Sequence, residues 1–353
     1  MAFEELLRTG NEWFDRPGPL SEVVVSSRVR FARNLEGRKF PHHSNAFEQR
    51  EVQDQVREAV SSLEAGASLK FVRLNEVSSL DRQFLTEHQL ISAEHAASLG
   101  ERAVAFDEVE GLSFLVNEED HLRLQVFQSG LSLKEAYRRL EAVDRSMGTK
   151  LIYAKDPSWG YLTACPTNLG LALRASVMLH LPALVYANRA AQVFHGVTQV
   201  GLTVRGLQGE TTQIPSAFFQ ISNQSSLGKK GLEIVEHVDR IARQLADVEA
   251  QTKIAVFQQE GIKMQDRICR ALGTLKNAKI ISLQEALDGL SALRVGVEQK
   301  ILTGLSLSNL NSLLIFIQPA HLAKLSAREL DPEREAVERA RFLGNRLRDV
   351  TAV

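Results

Sequence analysis

Residues 117–123 contain three consecutive carboxylates followed by an arginine at Arg123. A carboxylate can bind a cationic group or accept a proton from it. Residues 112–116, which precede the acids, are typical of a buried strand, and the alternation of apolar and polar residues over 122–127 indicates a second strand. The acids are therefore predicted to occupy a hairpin turn, with Arg123 on the polar face of the second strand. Most turns of this composition are solvated and have no chemical role.

Arginines recur on the polar faces of four predicted strands. In the first of these strands, Val25 and Val29 are expected on the opposite, apolar face. A single arginine on a strand is usually solvated or ion-paired. Five on one side of a sheet would repel one another unless a polyanion bound there, and guanidinium groups match phosphate oxygens in geometry. The sequence thus predicts a platform for nucleotide phosphates. The arginines are Arg28 and Arg30 in 23–30, Arg123 in 122–127, Arg174 in 172–179 and Arg205 in 200–205.

The composition indicates a globular protein without an overall electrostatic field. The chain has 353 residues, of which 44% are hydrophobic and 24% charged, and its formal net charge is −1. Neither nucleic acid nor a membrane surface is therefore expected as a partner. The N-terminal residues lack the basic and apolar regions of a signal peptide. Cys165 and Cys269 form neither a disulfide framework nor a zinc-binding spacing, and a cytoplasmic location fits best.

The periodicity of the chain changes near residue 230. Before it, residues 3–14, 46–65 and 79–98 are predicted helices, and residues 68–74 are a further strand. After it, strand patterns thin out and helical periodicity dominates. We predict an α+β domain over residues 1–230, followed by a helical domain over residues 231–353. The helices predicted in the second domain cover residues 232–251, 262–275, 283–290, 305–317 and 333–347.

Two loops rich in turn-forming residues lie beside the arginine-bearing strands. Residues 163–170 lead into the strand of Arg174, and residues 206–211 follow the strand of Arg205; glycines in the second loop allow close approach of a ligand. Considered alone, Cys165 in the first loop is more often a buried small residue than a reactive one. Glu210 in the second loop is more often a solvated acid.

These segments together resemble the ATP:guanidino phosphotransferases, and most closely the bacterial protein-arginine kinases. They follow one another in the family's order and span essentially the first predicted domain. The resemblance implies an antiparallel sheet flanked by helices, ATP as the phosphoryl donor, and Mg²⁺ bridging the ATP oxygens. The matching segments are 26–30, 117–123, 165–170, 173–176, 205–210 and 219–224.

The resemblance also implies a role for individual residues. Glu119 and Glu210 would grip the substrate guanidinium and accept its proton, and Cys165 would lie against it. The five arginines would hold the ATP phosphates, together with neighbouring strand and loop residues. The nucleotide-binding set is Ser26, Ser27, Arg28, Val29, Arg30, His88, Arg123, Arg174, Ala175, Ser176, Val177, Met178, Arg205, Gly206, Leu207, Gln208, Gly209 and Glu210.

The implied activity is ATP-dependent phosphorylation of arginine side chains on proteins, which would mark them for proteolysis or serve a stress response. One alternative is a kinase of a free guanidino compound. Another is a non-catalytic adaptor that delivers clients to an unfoldase, although an adaptor has no use for both Glu119 and Glu210. An activator protein, a Clp-type unfoldase and a homodimer remain open as partners.

The sequence departs from the family pattern at three places. Gly170-Leu171-Ala172 replaces a more usual Gly-Thr-Gly, which predicts a slightly different loop. Gln89 stands where the family has a histidine beside the adenine, so His88 is only a weak candidate. In the second domain, residues 335–340 replace an Arg-Asp-x-x-Arg-Ala motif that binds phosphoarginine, and only Arg339 and Ala340 match it. We therefore predict that phosphoarginine sensing is lost or greatly weakened.

Overall fold

The computed structural model describes residues 3, 6–7, 16–63, 68–107, 111–206 and 216–353. Most of the helix predicted over residues 3–14 lies outside these ranges, as do Leu207, Gln208, Gly209 and Glu210. The helices are α1 (Ala46–Ser61), α2 (Ser79–Glu87), α3 (Ala93–Ala97), α4 (Leu133–Met147), α5 (Pro182–Tyr186), α6 (Ala190–Gln199), α7 (Gly231–Asn277), α8 (Leu283–Glu298), α9 (Leu307–Phe316), α10 (Pro319–Leu325) and α11 (Pro332–Arg346).

Eight strands form one antiparallel sheet in the order β2-β3-β4-β5-β1-β8-β10-β9. This architecture confirms the predicted antiparallel sheet flanked by helices. Two short pairs, β6 with β7 and β11 with β12, lie outside it. The strands are β1 (Val24–Arg33), β2 (Lys70–Arg73), β3 (Ala103–Phe106), β4 (Leu112–Val116), β5 (Leu122–Ser129), β6 (Lys155–Asp156), β7 (Gly160–Tyr161), β8 (Leu173–His180), β9 (Leu202–Gly206), β10 (Phe218–Asn223), β11 (Leu302–Thr303) and β12 (Thr351–Ala352).

One face of the central strands forms the main hydrophobic core. Strand residues such as Val29, Leu124 and Val177 are fully buried there, against Leu140 of α4 and Val238 in the first part of α7. Because successive side chains of a strand point to opposite faces, covering this face leaves the alternate residues on the other. The arginines belong to that second set.

The predicted acidic hairpin is confirmed, since β4 and β5 pair antiparallel on either side of residues 117–121. Asn117 has a left-handed backbone with φ of 57°, a conformation that asparagine tolerates better than most residues. Its side-chain amide donates to the carbonyl oxygens of Gln49 and Glu101, each at 2.8 Å. The turn is thereby anchored to α1 and to the segment before β3.

A β-bulge in β1 corrects one prediction. The register of β1 against β8 shifts between Val24 and Ser26. The extra residue places Val24 in the main core, whereas Val25 joins a separate apolar cluster with Phe127 and Phe218. The prediction that Val25 shares a face with Val29 is therefore wrong, because a bulge reverses the alternation of side chains beyond it.

The single helix predicted over residues 79–98 is wrong as well. Two helices occupy this range: α2 ends at Glu87, and Gln89 has a left-handed backbone with φ of 63°. Ser92 then caps α3, its hydroxyl accepting from His95 N at 3.0 Å. An N-cap serine competes with continuation of a helix, which explains why a new helix starts here.

Helix α7 joins two regions that were predicted as separate helices. It spans Gly231–Asn277 but is kinked at Glu260, where the backbone angles are non-helical and two helical segments meet. Its first part packs against the sheet, whereas Ile268 and Leu272 belong to a second core formed with α8 and α11. The domain division near residue 230 therefore stays a prediction. Helices α4, α5, α6 and α10 were not predicted. Among the described residues, no helix is long and apolar enough to cross a membrane.

Candidate active site

Four arginines from four strands line one cavity on the face of the sheet opposite the main hydrophobic core. Arg30 is paired in register with Arg174 on the neighbouring strand β8. Arg123 lies on β5, the other neighbour of β1, and Arg205 lies on the edge strand β9. The cavity has a volume of about 640 Å³ and is also lined by Glu119 and Cys165. The structure thus brings together residues that are as far apart in sequence as Arg30 and Arg205.

The fifth arginine, Arg28, lies two residues before Arg30 on the same face of β1. It lines a second, smaller cavity of about 230 Å³ instead. Its guanidinium donates to Gln220 Oε1 at 2.9 Å and lies 5.2 Å from the centre of the Phe127 ring. Arg28 therefore stands between the two cavities.

The arginines carry more positive charge than their surroundings neutralise. Burial, with repulsion from Arg123 and Arg174, lowers the pKa of Arg28 to about 10. Burial and the neighbouring arginines also lower the pKa of Arg30, whose Nε is buried without a hydrogen-bond partner among the residues that the structure describes. Arg174 donates to a neutral group, the hydroxyl of Ser222, at 3.1 Å from Nη2. A bound polyanion would relieve this repulsion, so the residues fit the phosphates of a nucleotide.

The acidic hairpin supplies the opposite charge at the edge of the larger cavity. Arg123 Nη1 donates to Glu118 Oε1 at 2.7 Å, and Glu118 also accepts from the Ser92 hydroxyl. Glu119 lies farther from Arg123, at 3.7 Å from Nη2, and its side chain is 44% exposed. Burial and the neighbouring Asp120 raise the pKa of Glu119. Glu118 is thus paired with Arg123, whereas the Glu119 side chain remains accessible to a ligand.

Asp120 ties this turn to the loop that carries Cys165. Its Oδ1 accepts from Asn34 Nδ2 at 2.6 Å and from the backbone N–H of Ala164 at 2.7 Å. The adjacent Cys165 has its Sγ 3.0 Å from Thr167 Oγ1. Sequence reasoning missed this link, because three consecutive acids do not reveal which one is buried.

Several residues assigned to the nucleotide have side chains on the core side of the sheet. Ser27, Val29, Ala175 and Val177 are fully buried, so only their backbone could contact a ligand on the arginine face. Ser26, Ser176 and Met178 line the smaller cavity with Arg28. Gly206 ends β9. Leu207, Gln208, Gly209 and Glu210 lie outside the described residues, so the second acid has no position here.

The placement of His88 argues against a contact with adenine. Its ring is buried and packs against Phe84 and His321, with ring centroids 4.6 and 4.5 Å away. The neighbouring Gln89, which has a left-handed backbone, lines the smaller cavity instead. Within the described part of the chain, no group of three or more His, Cys, Asp or Glu residues could hold a metal ion.

Comparison with known families identifies the domain that contains this site. The model of the ATP:guanido phosphotransferase C-terminal catalytic domain matches residues 51–252. The chain belongs to the ATP:guanido phosphotransferase family. A second model, the protein-arginine kinase McsB C-terminal domain, matches residues 261–353. The two matches meet near Glu260, where the backbone of α7 is non-helical.

Relatives within the ATP:guanido phosphotransferase family match almost the whole chain and carry the name Protein-arginine kinase. The protein of Moorella thermoacetica is 43% identical over 337 residues, covering 95% of this chain and 96% of the relative. That of Symbiobacterium thermophilum is 41% identical, covering 98% and 99%. That of Bacillus subtilis is 38% identical, covering 96% and 93%.

Solved structures of ATP:guanido phosphotransferases share the fold. Lombricine kinase aligns with a TM-score of 0.58 at 25% identity, covering 72% of this chain and 79% of that one. The duplicated taurocyamine kinase of Schistosoma mansoni, with bound transition state analog components, aligns with a TM-score of 0.57 at 26% identity. This second alignment covers 65% of the present chain and 33% of the taurocyamine kinase.

Proposed function

We propose that this chain is an ATP-dependent protein-arginine kinase. The observation that carries the proposal is the cavity in which Arg30, Arg123, Arg174 and Arg205 face Glu119. A cluster of guanidinium groups, of which Arg123 is paired with Glu118, beside an accessible carboxylate suits a reaction between a polyanion and a cation. Relatives that match nearly the whole chain carry the name Protein-arginine kinase.

The arginines would bind the triphosphate and stabilise the charge that moves during transfer. Phosphoryl transfer depends mainly on positioning and electrostatic stabilisation. Arg30 and Arg174 are opposite each other on adjacent strands, so rigid backbone sets their spacing. Mg²⁺ would accompany the nucleotide on its phosphate oxygens and further offset their charge.

Glu119 would bind the substrate guanidinium and accept its proton. A nitrogen of the guanidinium forms a bond to the γ-phosphorus while the bond from phosphorus to the bridging oxygen breaks, and ADP leaves. Because a guanidinium holds its proton tightly, a nearby base must take that proton as the N–P bond forms. The raised pKa of Glu119 makes its carboxylate a stronger base. Glu210 is proposed as the second carboxylate, and Cys165 as a contact of the guanidinium.

A protein substrate is compatible with the accessibility of the acid. The Glu119 side chain is 44% exposed, and Cys165 is partly exposed. An arginine side chain that extends from a protein surface could therefore reach both. We further propose a cytoplasmic location, and that residues 231–353 form a helical C-terminal domain.

The experiment is to incubate the chain with ATP, Mg²⁺ and an arginine-rich protein, and to search for acid-labile phosphoarginine by mass spectrometry. Phosphoarginine on the protein, absent from a Glu119→Gln control, supports the proposal. Modification of free arginine alone would instead indicate a small-molecule kinase. Absence of turnover, with any cognate activator supplied, would indicate an adaptor.

A further inference from the structure

The position of the Glu119 carboxylate depends mainly on the backbone that carries it. The carboxylate lies 3.7 Å from Arg123 Nη2, which is longer than a hydrogen bond, and Arg123 is already paired with Glu118. The Glu119 side chain is also 44% exposed, so packing restrains it little. The groups that hold the peptide units before Glu119 therefore decide where this acid points.

One arginine outside the platform contacts two successive peptide units of the acidic turn. Arg102 precedes β3 directly, and its Nη1 donates to the carbonyl oxygens of Asn117 and Glu118, the second at 3.0 Å. The Glu118 carbonyl belongs to the peptide bond that joins Glu118 to Glu119, and the Asn117 carbonyl belongs to the bond before it. Because each peptide unit is planar, holding its oxygen restricts the rotation that would move the Cα of Glu119.

Arg102 is itself held by the segment around it. Its Nε donates to the carbonyl oxygen of Leu99 at 3.2 Å, and its own carbonyl oxygen accepts from the N–H of Leu74 at 2.8 Å. The turn donates in return, from the Asn117 side-chain amide to the carbonyl oxygen of Glu101 at 2.8 Å. Hydrogen bonds in both directions thus join the turn to residues 99–102, and they support the left-handed backbone of Asn117.

Arg102 lies on the acid side of the larger cavity. It lines this cavity together with Glu119 and Arg123. The platform arginines of the cavity belong to β1, β5, β8 and β9, whereas Arg102 adjoins β3, which β4 separates from β5. Its Nε and Nη1 donate to backbone carbonyl oxygens. This guanidinium is therefore placed to hold the turn at the wall from which the catalytic acid projects.

We propose that Arg102 is a positioning residue for Glu119. By holding the two peptide units before the acid, it sets the direction from which the carboxylate meets the substrate guanidinium. Proton transfer requires the base within hydrogen-bond reach of the proton, and small displacements of a reacting group lower the rate steeply. This inference rests on the proposed function, because it takes Glu119 as the base.

The test compares catalysis with nucleotide binding. Arg102→Met keeps the length of the side chain but removes every donor. The rate is measured with ATP, Mg²⁺ and protamine as the arginine-rich protein, and ADP affinity is measured by calorimetry. We expect kcat to fall roughly 10- to 100-fold, with ADP affinity changed less than about twofold. Arg102→Lys keeps a charged donor for the turn and should retain more of kcat.

A double variant shows whether Arg102 acts through Glu119. In the Glu119→Gln background the base is already absent, so adding Arg102→Met should lower kcat by less than about threefold. Arg50→Met is the matched control. Arg50 pairs with the Glu101 side chain at 2.6 Å and is 61% exposed, so its loss removes a guanidinium from the same segment without touching the turn carbonyls, and kcat should be unchanged.

Thermal unfolding shows whether each variant is folded, and the same comparison is made with Arg102→Lys if Arg102→Met does not fold. A folded Arg102 variant with wild-type kcat, or one that loses as much in the Glu119→Gln background, would overturn the inference. So would a loss of ADP affinity equal to the loss of kcat, since Arg102 would then be a phosphate-binding residue. Absence of turnover by the wild type, or full activity of Glu119→Gln, would instead contradict the proposed function.

Discussion

Arg123 Nη1 lies 2.7 Å from Glu118 Oε1, whereas its Nη2 lies 3.7 Å from the carboxylate of Glu119. Two consecutive acids therefore differ in what they can do. Glu118 is buried and pairs with an arginine of the platform. Glu119 projects into the cavity, where a substrate guanidinium can reach it.

Replacement of Glu119 by glutamine is expected to remove the base. The amide keeps size and hydrogen bonding but cannot accept a proton, so kcat should fall on the order of 10²–10⁴. Nucleotide affinity should stay close to that of the wild type, because the arginines are untouched. Steady-state kinetics and ADP calorimetry measure the two quantities. Glu118→Gln is the matched control and should lose less in kcat; near-full activity of Glu119→Gln would refute the catalytic assignment.

Asp120→Ala should release the loop that carries Cys165. The change removes the acceptor for Asn34 Nδ2 and Ala164 N–H, and leaving such donors unpaired costs roughly 1–3 kcal/mol. We expect lower thermal stability and a loss of activity with a protein substrate. Asp120→Asn keeps one carbonyl oxygen and should retain more of both. Equal behaviour of the two variants would show that the hydrogen bonds to Oδ1 do not position the loop.

Arg174→Lys keeps the charge but removes the planar guanidinium fork. In the wild type, Nε and Nη2 of Arg174 donate to the hydroxyl of Ser222 at 3.2 and 3.1 Å. A lysine cannot present two parallel donors to a phosphate. Nucleotide affinity or turnover should fall markedly. Lys134→Arg, at an exposed ion pair on α4, is a suitable control. Unchanged affinity together with unchanged turnover in Arg174→Lys would contradict the phosphate platform.

Glu87 should make stability depend on pH. Burial raises the pKa of Glu87 from its ordinary value of 4.5 to about 7. Because the folded pKa is the higher one, this contribution to stability is full below about pH 4.5 and is lost as the pH rises toward 7, by up to about 3 kcal/mol. The difference in unfolding free energy between the wild type and Glu87→Gln should follow this trend in denaturant titrations. A difference that is constant from pH 4.5 to 7 would show that Glu87 has no raised pKa.

Phosphoarginine should bind weakly or not at all at the degenerate motif. The Arg339 guanidinium already donates to the carbonyl oxygens of Ile317 and Ile281, at 2.9 and 3.1 Å. Glu335 lies 3.9 Å from it and would repel a phosphoryl group. The measurement is calorimetric titration of free phosphoarginine into the full chain. The double variant Glu335→Arg with Ala336→Asp restores the motif and should gain binding. Micromolar binding by the wild type that Arg339→Lys abolishes would show that the pocket survives.

The sequence alone determined the sheet, its acidic hairpin and the common face of the arginines. The alternation of apolar and polar side chains is a local property, and burial of one face sends the other residues to the opposite side. Arg30, Arg123 and Arg174 could therefore be placed on one surface before any contact was known. Glu119 could be placed at the turn for the same reason.

Only the tertiary structure decided features that depend on partners distant in sequence. The bulge that turns Val25 toward the arginine face follows from the register of β1 against β8, which alternation cannot reveal. The separate roles of Glu118, Glu119 and Asp120 depend on which acid meets Arg123 and which meets Ala164. The smaller cavity between Phe127 and the C-terminal helices exists because elements more than 100 residues apart bury their apolar side chains against each other, and such long-range packing leaves no local pattern in a single sequence.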